Sequence, residues 1–216
     1  IVSKNLTANA TGNNTTGGNI VIDAVSAGFS SGAVTIDPIT FSANGAGTTS
    51  KGGNILVEGS TVNFSGAGSQ AINANAGTTG AGGSITLRAT TGSVNLGGAA
   101  GDVQLFARGK SGVGGTAIVE AGSSITAKGG TGSLDVSATG AGNNKGGSIA
   151  LRAGTAGVGN VQVNSGLNAN GTNNGAGGTI SIQFNDPAVV NTLTIGSATG
   201  NNFINGDINA NSPGTG

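Results

Sequence analysis

Three octapeptides carry the most regular chemistry of this sequence. GGSITLRA at 82–89 and GGSIALRA at 146–153 place Arg at the seventh position, and GGTAIVEA at 114–121, midway between them, places Glu there. Opposite charges at a fixed separation form ion pairs when a fold brings the copies side by side, and an Arg-Glu-Arg order suits such pairing. Other reactions of charged groups are poorly supplied. The chain has eight acidic and eight basic residues among 216, and no His, Cys, Met, Trp or Tyr. That removes Ser-His pairs, Cys nucleophiles and soft metal sites, and the carboxylates are scattered along the chain. Asp23 and Glu58 are the nearest acidic neighbours once the copies are stacked, and the adjacent strand offers neither the second carboxylate nor the Ca²⁺ ligands that a polysaccharide lyase or hydrolase needs. The sequence predicts a protein that is not an enzyme and has no catalytic residue, cofactor or metal site.

The charge balance also bounds the partners. A formal net charge of zero, 7% charged residues and six Phe provide neither a basic stripe nor stacking platforms for nucleic acid. No apolar run approaches the length of a membrane span, so no membrane insertion is expected. With 45 Gly the chain resembles a low-complexity linker, but it holds only three Pro, and Val, Ile, Leu and Phe alternate with polar residues in short evenly spaced runs, as in half-buried strands.

A repeat positions these residues. The element Gly-Gly-polar-apolar-x-apolar-x begins at Gly17, Gly52, Gly82, Gly114, Gly146 and Gly177, about 32 residues apart. A second short strand follows each copy: AVTI at 33, TVNF at 61, SVNL at 93, SITA at 124, NVQV at 160 and TLTI at 192. A third follows that: FSAN at 41, INAN at 72, LFAR at 105, VSAT at 136, LNAN at 167 and INAN at 208. Three short strands per unit, Gly-rich turns and no helical period predict an all-β fold: a right-handed parallel β-solenoid, or β-helix, of triangular section, with about six coils of ~32 residues and three strands each. Residues 6–9, LTAN, and 208–211, INAN, both match the third-strand pattern, so the chain starts and stops mid-array. Residues 1–216 are expected to form a single solenoid segment of a longer or polymerising protein. The insertions around 185–191 and 198–206 are expected to be looser turns of the sixth coil, with a partial cap as the alternative.

Period-2 alternation then sorts the side chains. Ile20 and Ile22, Ile55 and Val57, and their equivalents in later copies point inward from the first strand. Val34, Val62, Val94, Ile125, Val161 and Leu193 do so from the second, and Phe41, Ile72, Leu105, Val136, Leu167 and Ile208 from the third. Two outward columns result. Asp23, Glu58, Arg88, Glu120, Arg152 and Gln183 form a charge ladder whose middle four members alternate in sign; opposite charges on adjacent strands contribute roughly 0.2–1 kcal/mol each, and like charges oppose a one-coil slip. Asn9, Asn44, Asn75, Arg108, Thr139, Asn170 and Asn211 form a polar ladder, expected to bond amide to amide along the axis, with the binding of sugar hydroxyls as the functional alternative. Val21, Leu56 and Ile118 face outward and could support lateral self-association.

The element in GGSITLRA and GGSIALRA, together with Ala-Asn-Gly turns and sparse charge, resembles the repeat region of filamentous haemagglutinin-like proteins, secreted β-helical adhesins of bacteria. The resemblance covers all six copies. It implies an extracellular or cell-surface location and a non-catalytic structural and adhesive rod whose partners are host or matrix glycans or proteins. The alternative is a self-assembling subunit of an extracellular filament joined head to tail through open solenoid ends.

Overall fold

Alternating Ile, Val and Leu become strands here because each can bury one side chain in two against an equivalent strand one repeat away. The computed structural model describes residues 1–2, 4–25, 32–37, 39–65, 70–97, 103–127, 133–135, 138–139, 143–186 and 192–212. They form a parallel β-solenoid of about five turns, about 32 residues apart. Among the described residues there is no helix.

Three sheets run the length of the stack. The first has six strands: Asn19–Asp23, Asn54–Gly59, Ser84–Ala89, Thr116–Ala121, Ser148–Ala153 and Thr179–Gln183. They pair in parallel with no slip, so Ile20, Ile55, Ile85, Ala117, Ile149 and Ile180 form one inward row. In the second sheet Val34, Val62, Val94, Ile125 and Val161 stand in line, and in the third Leu6, Phe41, Ile72 and Leu105 do. Ile85, Leu87, Val94, Leu105 and Val119 are fully buried, while Ile22, Ile180 and Ile182 in the outer rows are only partly covered. Each fully buried aliphatic side chain contributes about 1.5–3 kcal/mol, which lets a core one side chain deep hold the stack without Trp or Tyr.

The Gly-Gly pairs form the corner between the third and first sheets. The second glycine closes the corner by donating its N–H to the carbonyl of the third-strand alanine: Gly53 to Ala43 at 2.6 Å, Gly83 to Ala74 at 2.7 Å, Gly115 to Ala107 at 2.7 Å and Gly178 to Ala169 at 2.6 Å. Successive turns touch here through main chain. A Cβ at Gly53 would overlap the carbonyls of Gly17 and Gly18, and one at Gly83 would overlap that of Gly53. The alanines are fully buried for the same reason: the tight corner leaves room inside for one methyl group.

The structure corrects two of the expected strands. In the fourth turn, Ser133–Asp135 is the third strand, with Leu134 paired to both Leu105 and Leu167. Val136, the residue expected there, lies outside the described residues. The shift is two places, so it keeps the alternation of SLDVS and leaves the apolar pattern equally satisfied. Thr139 moves with it. It stands beside Lys110, in a short extra ladder of Gly109–Lys110 with Ala138–Thr139, and not in the row of Arg108. In the last turn, Phe203–Ile204 continues the second sheet beside Val161–Val163, and Thr194–Ile195, expected in that place, is added outside it as the outermost strand. Residues 198–206 are therefore not simply a loose turn. They return the chain into the sheet, where Asn202, Phe203 and Ile204 are buried and the Asn202 Oδ1 accepts the N–H of Val161 at 2.9 Å.

Candidate functional site

The outward columns are the places where side chains could meet something other than the core. In the first sheet, strand pairing puts Asp23, Glu58, Arg88, Glu120, Arg152 and Gln183 in one row. The Arg88 guanidinium lies 3.3 Å from Glu58 and 3.8 Å from Glu120, and Glu120 lies 3.9 Å from Arg152. Four charges thus share three contacts along the axis. Their side chains are 17% exposed at Glu58, 41% at Arg88, 25% at Glu120 and 43% at Arg152. At that exposure each contact contributes at the low end of the roughly 0.2–1 kcal/mol range, and like charges in adjacent rows would cost as much. The one like-charged pair, Asp23 and Glu58, is relieved by direction: Asp23 Oδ1 accepts the N–H of Val25 at 2.7 Å within its own turn, while Glu58 faces Arg88.

The asparagine column works differently from the amide stack expected of it. Each Oδ1 reaches across to the main chain of the next turn: Asn9 accepts the N–H of Asn44 at 2.7 Å, Asn44 that of Asn75 at 2.8 Å, Asn75 that of Arg108 at 2.9 Å, and Asn170 that of Asn211 at 2.8 Å. The reason lies in the bend. Past the third strand the backbone leaves the sheet for the Gly-Gly corner, so one main-chain N–H per turn needs an acceptor from the side, and a carboxamide one turn away is the right length to provide it. Serine does the same at the start of the second strand, where Ser93 Oγ accepts from Ser124 N–H at 3.4 Å and Ser124 Oγ from Asn160 N–H at 3.0 Å. Period-2 alternation places Ser93, Ser124 and Asn160 on the outward face of the second strand, but it does not foresee the serines' bonds to the main chain of the next turn, whose signal is the recurring Ser or Asn just before the inward Val or Ile. Amide-to-amide bonds occur beside these columns, from Asn54 to Asn19 at 3.1 Å and from Asn209 to Asn168 at 3.0 Å.

One turn departs from this amide face. Phe106 and Arg108 replace the pair that is Asn73 and Asn75 one turn earlier, and the guanidinium carbon lies 4.1 Å from the ring centroid. On the first sheet Val21, Leu56 and Ile118 share an outward row, but Thr86 separates Leu56 from Ile118, and only Val21 is strongly exposed. Where two Gly-Gly corners carry no side chains, an open groove of about 280 Å³ is lined by Val113, Thr116, Lys145, Ser148 and Thr179. Among the described residues no three carboxylates converge to hold a metal ion. No helix of the described residues is long and apolar enough to cross a membrane.

Chemically, then, the columns are chiefly ladders whose polar atoms are spent on the next turn. The predicted charge ladder is brought together whole. The predicted polar ladder is brought together at Asn9, Asn44, Asn75 and Arg108 and again at Asn170 and Asn211, without Thr139. A search of family models, curated proteins and solved structures finds no match to this chain.

Proposed function

We propose that this chain is a non-catalytic structural and adhesive rod segment of a secreted or surface-exposed protein. The observation that carries the reading is the use of the outward polar residues: in all three sheets they bond chiefly to the equivalent position of the next turn. Such a surface adds to length and rigidity with every turn, and the five spacings of about 4.8 Å between six rows give a stack of roughly 24 Å. The faces of amides, hydroxyls and exposed guanidinium groups would meet glycans or proteins of a host or matrix. The test is to present the purified folded chain to glycan and matrix-protein arrays and to soluble polysaccharides. Saturable binding that is lost on unfolding supports adhesion. Absence of binding by folded protein leaves only a spacer, and turnover of any polysaccharide removes the non-catalytic part of the reading.

A second reading, a subunit of an extracellular filament joined head to tail, is favoured by one feature. Thr194–Ile195 is the outermost strand of the second sheet, and Ile195 is 58% exposed. An outermost strand with an exposed apolar side chain is a template for pairing with another chain. Fibres that form as concentration rises would support this reading, and a monomer at all concentrations would end it.

A further inference from the structure

We propose that Asn205–Gly206 is a site of spontaneous covalent modification, at which the asparagine carboxamide passes through a succinimide to aspartate and isoaspartate, while the fold holds the other Asn-Gly sequences unreactive. In this reaction the main-chain nitrogen of the following residue loses its proton and attacks the asparagine Cγ. The new C–N bond closes a five-membered imide, and ammonia leaves with the proton. Water then opens either imide carbonyl, so one water enters for each ammonia released. Glycine in second place favours the attack because no Cβ crowds the nitrogen.

The chain contains four such sequences: Asn44–Gly45, Asn170–Gly171, Asn174–Gly175 and Asn205–Gly206. In three of them the attacking nitrogen is engaged. Gly45 N–H donates to the Asn75 carbonyl at 2.8 Å, Gly171 N–H to the Asn211 carbonyl at 2.9 Å and Gly175 N–H to the Thr172 carbonyl at 2.8 Å. In the first two the target carboxamide is held as well, since Asn44 Oδ1 accepts from Asn75 N–H and Asn170 Oδ1 from Asn211 N–H, each at 2.8 Å. Freeing either pair requires two turns of the solenoid to part, which local opening rarely achieves. The Gly206 N–H has no hydrogen-bond partner among the described residues. Asn205 is exposed, and its side chain makes one long bond, from Nδ2 to Asn164 Oδ1 at 3.4 Å.

The site also has a consequence for the fold. It lies on the bend between Ile204, fully buried in the second sheet, and Ile208 in the third. Isoaspartate adds one methylene to the main chain there and puts a new carboxylate two residues from Asp207, so modification loosens the last turn and leaves the middle ones intact.

The test uses the full chain held at mildly alkaline pH and body temperature, in native buffer and in denaturant, with peptide mapping by mass spectrometry and isoaspartate-specific methyl transfer. Native protein is expected to convert at Asn205 about tenfold or more faster than at Asn44, Asn170 or Asn174, and in denaturant all four are expected to convert at similar rates. Folded Asn205→Gln should lose the native conversion. Native conversion at Asn44, Asn170 or Asn174 as fast as at Asn205 would overturn the proposal, as would an Asn205 that stays intact in native buffer while the denatured chain reacts. The wild-type comparison decides the matter even if the variant does not fold.

Discussion

A carboxamide that accepts from main chain does a different job from one that bonds to its neighbour's side chain. Asn75 Oδ1 is the acceptor for the Arg108 N–H, a main-chain donor on the partly covered bend into the Gly-Gly corner. Removing a partner from a shielded donor costs about 1–3 kcal/mol, more than the net value of an exposed side-chain pair. Asn75→Ala should therefore lower stability by about 1–2 kcal/mol in urea unfolding, and Asn75→Asp, which keeps an acceptor oxygen in place, should lose clearly less. If the two variants unfold at the same urea concentration, the column is an ornament of the surface and not a main-chain support. The Phe106–Arg108 stack combines this support with a second kind of cover. There a cation over a ring covers the face that carboxamides cover elsewhere, and Arg108 still receives the Asn75 oxygen at its own N–H.

At the scale of the strand and the corner, glycine sets the spacing of the turns. A methyl group at Gly83 would overlap the Gly53 carbonyl, whereas one at Gly12 meets nothing closer than the Thr15 Cγ2 at 3.7 Å. Gly83→Ala should cost upwards of about 3 kcal/mol, and Gly12→Ala should stay within about 0.5 kcal/mol, as judged from urea midpoints. Equal effects would mean that the corner yields and that the close approach of the turns is not required. These corners are also why so much of the fold was legible in the sequence. The Gly-Gly pairs mark a frame every 30 to 35 residues, and the inward residues of the first strand fall in register from that frame alone, which put the whole charge ladder in line. What was not legible has two causes. A period of two cannot tell an even shift from no shift, so Val136 and Leu134 were equally good inward residues, and Thr139 was carried along with the wrong one. In the last turn TLTI alternates better than Phe203–Ile204, yet the latter takes the row beside Val161–Val163 and is buried there, while Ile195 is left mostly exposed. Burial against a specific neighbour outweighed the pattern, and a sequence read alone contains no such neighbour.

At the scale of the whole molecule, every turn contacts mainly the turns before and after it, so the stack should tolerate the loss of one complete turn if the rows on either side still match. Deleting residues 116–147 joins Gly115 to Ser148 and preserves the Gly-Gly-Ser-Ile frame, because both sides of the junction enter the same strand at the same place. It also removes Glu120 and sets Arg88 beside Arg152, two like charges in adjacent rows where the full chain has the order Glu58, Arg88, Glu120, Arg152. Arg152→Glu then has opposite consequences in the two proteins. In the full chain it places a second carboxylate beside that of Glu120 and should lower stability by about 0.5–1 kcal/mol; in the shortened chain it restores alternation and should raise stability by a similar amount. Both differences should shrink as salt is raised, since the arginines are exposed enough to be screened. Urea unfolding of the four proteins at low and high salt checks this. A substitution that destabilises both chains alike would mean that Arg152 acts through its own packing and that the ladder does not govern which turns can lie side by side.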